Sequence, residues 1–596
     1  MRLILTACVS LLVAACPGRE NVPCAQDTDC DLSTGGACLT AETGNKWCAY
    51  PDPECPSGYR YSDQDVGDGV GGVCTSGLTY KLTVSIGGNG TGSITSDPAG
   101  LSCDSGMCSG HFDPGTVVQL DAVPTDGSFL GWASACNGKG PCAVTMDQDR
   151  SVGALFGTPG EALWATQIGG AGEDFGRAIA IDSAENLLAV GRFAGSLTVG
   201  AFTLTSAGGF DVYVVKLAPA TGEVLWAKRF GGTDSDEGLS VAVDASDNAY
   251  VTGVFRGTVD FGGGPVPSAS GSDDAFVLKL APDGGFGWAR GIGGSEIDYG
   301  AGIAVRGNSV VVTGPYSGSM TVGATTVTSA GSIDIFALSM TTDAADGWLK
   351  SYGGPNADVP TGLAFDGTDN VVITGRFQGT SNYGGGNLIS AGGFDVFLLK
   401  VSGGAGAHLT SRRFGSAAFD TGSAVTIDSS ANILLLGTFR ETVDFGKGPV
   451  TASSAGDSDI FLAKYSQAGA CLWAKAFGGT AGLSGRAGNA VAVNAAGDVA
   501  IAGAFDGTIT FGGEVLSSAS EVGTDLFAAR FAGGDGSHLN SIRAGGMGVE
   551  SASGVAQAVD GRFFATGSFS GFADFGGEAL TSAGGNDACV LALAPL

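Results

Sequence analysis

An all-β fold, most of it a seven-bladed β-propeller, is what this sequence predicts, and three observations predict it. The first is a period. SAGGFDV stands at 206–212 and again at 390–396, and looser copies such as TSAGSIDIFALSM, SSAGDSDIFLAKY and TSAGGNDACVLAL fill the rest of the chain. Their aspartates are Asp211, Asp274, Asp334, Asp395, Asp459, Asp525 and Asp587, spaced 63, 60, 61, 64, 66 and 62 residues apart. A repeat of that length is one supersecondary unit that must stack on its neighbours. The second observation is the content of a unit. GRAIAID, NLLAVGRF, DVYVVKLAP and EVLWAKRFGG are four short apolar strands split by Gly, Asn and Asp turns, the pattern of a propeller blade. The third is the ends. EALWATQIGG precedes the first unit and matches the fourth strand EVLWAKRFGG, while the last unit stops after its third strand, ACVLALAPL. Seven first strands and seven third strands give seven blades. The Trp164 segment then completes the last blade and removes an exposed sheet edge.

In chain order, residues 1–15 read as a lipoprotein signal peptide. MRLILTACVSLLVAAC has one Arg, a short apolar run, and Val13-Ala14-Ala15-Cys16. This resembles the bacterial lipobox, which implies that Cys16 is the lipidated first residue; an ordinary signal peptide cut nearby is the alternative. The apolar run is too short for a mature transmembrane helix. Residues 16–78 form a Cys-rich stalk with Cys24, Cys30, Cys38, Cys48, Cys55 and Cys74. Dense cysteines in an exported chain read as disulfides, and six of them allow 15 pairings. A stretch this small and polar needs such crosslinks. WCAYPDPECPSGYRYS resembles Cys-rich segments of myxobacterial surface lipoproteins.

Residues 79–157 alternate as strands: YKLTVS, GSITSDPAG, GTVVQLDAVP, FLGWASAC, CAVTM and SVGALF. Their order resembles the divergent internalin-type B-repeat domain, which implies a small β module used as a spacer or adhesion unit without catalysis. Cys103 with Cys108 and Cys136 with Cys142 close short loops and are the expected bridges. Trp132 is expected in the core of so small a module. Residues 158–596 are the propeller. Their TVDFGG, SAGxxD and WAKRFGG motifs resemble the bacterial seven-bladed propeller repeat family over about 430 residues. Cys471 and Cys589 fall on different repeats and are expected to be unpaired.

Charge and composition exclude some functions. Lys and Arg total 29 against 59 Asp and Glu, a formal charge of −30; such a surface repels nucleic acid and anionic headgroups. Only His111, His408 and His538 exist, which removes most His-based catalytic and metal constellations. No Ser–His–Asp set, HExxH or strand–helix phosphate loop occurs, so no catalytic residue is assigned. LAPATGEVLW resembles part of a quinone-enzyme propeller motif, but it occurs in full once and reads as a hairpin turn with a packing Trp. His408 and His538 occupy equivalent, exposed turn positions.

Two carboxylate rings remain. Four residues after each GG turn stand Asp174, Asp236, Asp298, Asp358, Asp420 and Glu550, with Leu483 as the exception. They precede inner strands and are expected near the central channel. The second ring is Asp211 to Asp587. Asp at a loop–strand junction commonly fixes the turn by accepting backbone N–H bonds. The sharper reading is a calcium site on the first ring, since oxygen ligands suit that ion; otherwise no cofactor is expected. The long second-to-third-strand loops, about twenty residues each, share one face with the GG turns, and loops on a rigid scaffold are where binding sits. The sequence therefore reads as a non-enzymatic outer-membrane lipoprotein of the cell envelope. It touches the membrane through its lipid anchor only and presents a propeller to a protein or glycan partner. The alternatives are a propeller enzyme acting on polysaccharide or using a quinone, and a purely structural envelope protein. Departures that could mark an active site are confined to Leu483, GLSGRAG and EVGTD.

Overall fold

The computed structural model describes residues 37–40, 46–51, 59–61 and 79–595, less 88–90, 127, 137–140, 158–161, 454–456, 481–485, 520–522, 547 and 576–577. The signal peptide, Cys16, Cys24, Cys30, Cys55, Cys74 and Leu483 lie outside the described residues. The first described strands, Ala37–Thr40, Lys46–Pro51 and Tyr59–Tyr61, form an antiparallel sheet. Cys38 stands opposite Cys48 in its register, and each is disulfide-bonded.

Residues 80–157 build two four-stranded sheets. One orders Cys142–Thr145, Val117–Asp126, Thr91–Asp97 and Ser102–Cys103; the other orders Met107–Phe112, Tyr80–Gly87, Arg150–Gly157 and Ser128–Ser134. Alternation along Thr91–Asp97 buries Gly92 and Ile94 and leaves the other residues partly or fully exposed, as one-sided burial requires. The inner faces share one core around Leu82, Ile94, Leu120, Val152 and Phe156. Trp132 is 2% exposed in that core, and Cys103–Cys108 and Cys136–Cys142 are bonded.

Apart from four short two-stranded hairpins, the remaining described strands fall into seven antiparallel groups of four. In the first, Asp174–Ile181 pairs with Leu187–Val199, then Phe202–Leu217, then Val224–Phe230. The next five repeat that order, ending with Arg486–Val493, Val499–Phe505, Asp525–Phe531 and His538–Gly546. The seventh has Ser551–Gln557, Phe563–Asp574 and Ala579–Leu593, and its fourth strand is Ala162–Gly170. Each first strand packs on the next, and the seventh packs on the first, so the blades close into a ring.

The strand chemistry follows from that stacking. Second and third strands are covered on both faces; Asp459–Tyr465 is buried along its whole length. Cores therefore lie between blades, as where Leu188 and Val190 of blade one meet Phe255 and Phe276 of blade two. First strands of blades two to five line an opening of about 320 Å³ with Ala242, Ile303, Val305, Arg306, Leu363 and Thr426.

The long loops are not loops. In blades one, four and seven the second and third strands continue as one long hairpin. In the others a separate two-stranded hairpin forms, such as Thr258–Asp260 with Pro265–Pro267. The TVDFGG motif explains it. Val259 and Phe261 drop into the blade core, and Asp260 Oδ1 accepts from Gly262 N at 2.7 Å and Gly264 N at 3.0 Å, closing the turn. These short alternations are too brief to register as strands in sequence.

Candidate functional site

Both carboxylate rings converge on the blade junctions at the hairpin face. In the first ring one oxygen accepts from the backbone N–H four residues earlier. Asp174 takes Gly170 N at 2.8 Å, Asp236 takes Gly232 N at 2.8 Å, and Asp298 takes Gly294 N at 2.6 Å. Asp358 takes Gly354 N at 2.9 Å, Asp420 takes Ser416 N at 2.6 Å, and Glu550 takes Gly546 N at 3.0 Å. All six are buried, at 0–1% exposure. They face the junctions between blades, where the second-ring carboxylates also lie.

The second ring meets them there. Asp211 accepts from Ala207 N at 3.0 Å, Asp395 from Ala391 N at 3.0 Å, and Asp587 from Ala583 N at 3.0 Å. Asp274 takes Ser272 Oγ at 2.8 Å, Asp334 takes Ala330 N, and Asp525 takes Ala519 N at 2.7 Å. Some gain a cation from the fourth strand: Arg229 on Asp211, Arg413 on Asp395 at 3.1 Å, and Arg543 on Asp525 at 2.8 Å. The two rings pair off as Asp587 with Asp174, Asp211 with Asp236, Asp274 with Asp298, Asp334 with Asp358, Asp395 with Asp420, and Asp525 with Glu550.

This explains the GG turns. A Cβ on Gly231 would sit 2.3 Å from Asp211 Cγ, and one on Gly232 would sit 2.6 Å from Thr258 O. The glycines are there because a carboxyl group and a neighbouring backbone occupy their side-chain space. At Gly353 the missing Cβ would stand 2.3 Å from Asp334 Oδ1 and 3.0 Å from Asp358 Oδ2.

Burial raises the first-ring pKa values, and in Asp174, Asp236, Asp298, Asp358 and Glu550 the facing carboxylate adds to it. Asp174, Asp298 and Glu550 rise to about 7, and Asp236 and Asp358 to about 6. Asp420 also rises through burial. In the second ring, burial lifts Asp395 to about 6 and also raises Asp211, Asp274, Asp334 and Asp587. Among the described residues, buried Asp174 Oδ1, Asp298 Oδ1 and Glu550 Oε1 have no donor in good hydrogen-bonding geometry, nor has Oδ1 of Asp211, Asp334, Asp395, Asp525 or Asp587. Among the described residues no three acidic, His or Cys side chains gather as a metal site; the six first-ring acids are distributed one to a junction.

The seventh junction is different. The Leu483 position brings no acid, and Arg486 enters instead. Its side chain is fully buried, and Nη1 lies 3.1 Å from Asp459 Oδ1. The sequence signal was present in Arg486, three residues after Leu483, but nothing local assigns it to Asp459.

On the same face, blades one to three enclose a cavity of about 690 Å³ whose lining includes Arg192, Phe210, Asp234, Glu237, Arg256 and Tyr299. Arg192 lies over the rings of Phe175 and Phe210, 4.8 and 4.3 Å from their centroids, and its Nη1 donates to Glu237 Oε2 at 3.0 Å. Arg177 holds the other oxygen of Glu237.

Comparison with known proteins gives no family. No family model matches the chain. It is 32% identical over 108 residues to an uncharacterized WD repeat-containing protein L264 of Acanthamoeba polyphaga mimivirus, covering 17% of this chain and 8% of that protein. It is 25% identical over 348 residues to the regulatory protein FlaEY of Caulobacter vibrioides, covering 53% and 35%. The chain thus matches only about a third or less of these relatives' lengths. Solved structures that align include the WD40 β-propeller domain of Doa1, with TM-score 0.36, 9% identity, and coverage of 72% of this chain and 97% of that one. BamB from Moraxella catarrhalis aligns with TM-score 0.31, 12% identity, and coverage of 69% and 95%. At these scores neither structure informs chemistry, and the β-propeller rests on the strand pairing itself.

The remaining sequence-marked residues are structural. Pro219 of LAPATGEVLW lends its carbonyl to Trp164 Nε1 at 3.1 Å and Arg562 Nη1 at 2.9 Å. The Trp of the fourth strand is thus an inter-blade donor: Trp226 to Pro282 O at 3.1 Å, Trp288 to Thr342 O at 2.9 Å, and Trp348 to Gly403 O at 2.6 Å. His408 and His538 start fourth strands, as expected, but are half-buried, with Nε2 3.1 and 3.0 Å from Ser411 and Ser541 Oγ. Both cover Gly-rich hairpin turns, at Gly385 and Gly513. Cys471 and Cys589 are free thiols.

Proposed function

We propose that this protein is a lipid-anchored, extracytoplasmic binding scaffold that presents the hairpin face of its propeller to a protein or glycan partner. The observation that carries the reading is the cavity of about 690 Å³ on that face, where charged and aromatic side chains stand on the ends of rigid strands. Clefts of that size with a few fixed polar groups are where ligands bind. The reading is non-catalytic because the carboxyl pairs are buried and repeat around the ring, whereas chemistry needs an open, asymmetric set. The lipobox before Cys16 and the bonded cysteines support an oxidising location outside the cytoplasm. No calcium is needed for this role.

The test offers the full mature chain purified envelope proteins and envelope polysaccharide. Phe210→Ser combined with Arg256→Ser on the hairpin face is expected to abolish capture. Arg306→Ser, at the other end of the first strands, is expected to preserve it. Capture indifferent to the first pair, or turnover of the polysaccharide, overturns the reading. The anchor is tested separately: a palmitate analogue is expected to label the wild type in cells but not Cys16→Ala.

A further inference from the structure

The two SAGGFDV copies follow two identical GRF segments, Gly191-Arg192-Phe193 and Gly375-Arg376-Phe377. Arg192 and Arg376 therefore occupy the same position of blades one and four. Phe394 takes the place of Phe210 beneath Arg376, 5.5 Å from the guanidinium carbon, and Phe419 of the next blade flanks it at 5.6 Å. In blade one the guanidinium has a counter-charge, Arg192 Nη1 donating to Glu237 Oε2 at 3.0 Å, while its Nε is without a partner there as in blade four. Counting from the preceding ring acid, Asp236 in one case and Asp420 in the other, the residue at the Glu237 position is Thr421.

The consequence is an arginine without a counter-charge. Among the described residues Arg376 makes no ion pair and no side-chain hydrogen bond, and its buried Nε has no partner. Burial lowers its pKa, though a guanidinium stays charged at any physiological pH. Thr421 turns its hydroxyl to Gly422 O at 3.1 Å. In a chain of net charge −30, a cation held between two rings with its carboxylate removed is the departure from symmetry that a binding site requires. Blade one supplies the internal control, since it shows a carboxylate seated on this arginine.

We propose that Arg376, Phe394 and Phe419 form a recognition site for a ligand carboxylate, and that the ligand is the C-terminal carboxylate of a peptide ending in an apolar residue. The guanidinium fork fits a carboxylate bidentately. Phe419 is 41% exposed and offers an apolar surface beside it. The strongly negative surface disfavours polyanions and favours a ligand carrying one charge. A uronic acid has the same carboxylate and is the other source to be tested. The inference rests on reading the hairpin face as the binding face.

The test uses the full mature chain with three probes: N-acetyl-Ala-Ala-Leu, its C-terminal amide, and glucuronate, each titrated calorimetrically. The peptide acid is expected to bind and the amide to bind about tenfold more weakly or not at all. Arg376→Gln is expected to weaken the acid by a similar factor. Thr421→Glu, which rebuilds the blade-one ion pair, is expected to do so while leaving the thermal midpoint unchanged or raised. Binding of the acid that survives both substitutions, equal binding of acid and amide, absence of binding, or binding of glucuronate alone each overturns the proposal. If envelope capture still depends on Phe210 and Arg256 while these probes fail, this site falls and the scaffold reading stands.

Discussion

Six junctions hold two buried carboxyl groups each, and the seventh holds a carboxylate with Arg486. The pairs set a pH dependence whose sign can be worked out. An acid raised from about 4 to about 7 binds more protons folded than unfolded between those values, so its contribution falls as pH rises through that window. Aspartates that cap the turn after a first strand, such as Asp366, which accepts from Thr368 N and Asn370 N at 2.8 Å, act below it. Burial alone would raise Asp366, but Lys400 and Asn370 outweigh burial and hold it at about 2; its contribution is complete above its unfolded pKa and is lost only as pH falls further. The thermal midpoint is therefore expected to be higher at pH 5 than at pH 8 by scanning calorimetry. Asp298→Asn keeps an acceptor for Gly294 N and removes the like charge, so it is expected to raise the midpoint at pH 8 and flatten the pH profile. A lower midpoint at both pH values would show that the charge itself is needed. Arg486→Met strands Asp459 in the junction, and breaking a buried pair from one side costs about 3–5 kcal/mol, measurable by denaturant unfolding. Both rings and the GG turns were legible as positions. Their pairing was not, because Asp587 and Asp174 come from opposite ends of the repeat array and no local pattern joins them.

The unit of construction is a blade that clamps its neighbour. A fourth-strand Trp and, in several blades, a third-strand Lys reach one carbonyl of the next blade: Trp226 and Lys216 both donate to Pro282 O, and Trp473 and Lys464 both to Gly533 O. Lys464 also ion-pairs with the turn carboxylate Asp428 at 2.7 Å. Trp226→Phe keeps most of the packing and loses the donor, with an expected cost of about 0.5–1.5 kcal/mol because Lys216 still satisfies Pro282 O; urea unfolding reads it. Strands of the repeat were legible because their apolar runs recur seven times. The hairpins were read as loops because three or four alternating residues carry too little signal. Their identity came from Val259 and Phe261 filling a core that exists only when two blades meet.

Across the whole molecule, the register between Ala162–Gly170 and Ala579–Leu593 turns seven blades into a ring. Thr166 stands opposite Val590 in the middle of that ladder. Replacing residues 162–170 by a Gly/Ser linker removes the strand paired with Ala579–Leu593 and leaves that strand as an open edge. The variant is expected to be cut by a protease within the last blade while wild type resists; equal resistance would mean the blades hold without the closing strand. The strand count made this closure visible before any coordinates, since a lone fourth strand at one end and a missing one at the other can be matched by sequence. What a blade-by-blade reading could not supply was Arg376, whose meaning lies in a residue absent from the next repeat.

The closing ladder also sets an order of events in time. Gln167 and Asp587, 420 residues apart, have to meet before the last edge is covered. The first propeller strand to be synthesised therefore waits unpartnered until almost the whole chain has emerged. Until then it offers an open edge to any passing strand, and a chaperone that shields residues 162–170 during synthesis would act at the point of greatest hazard.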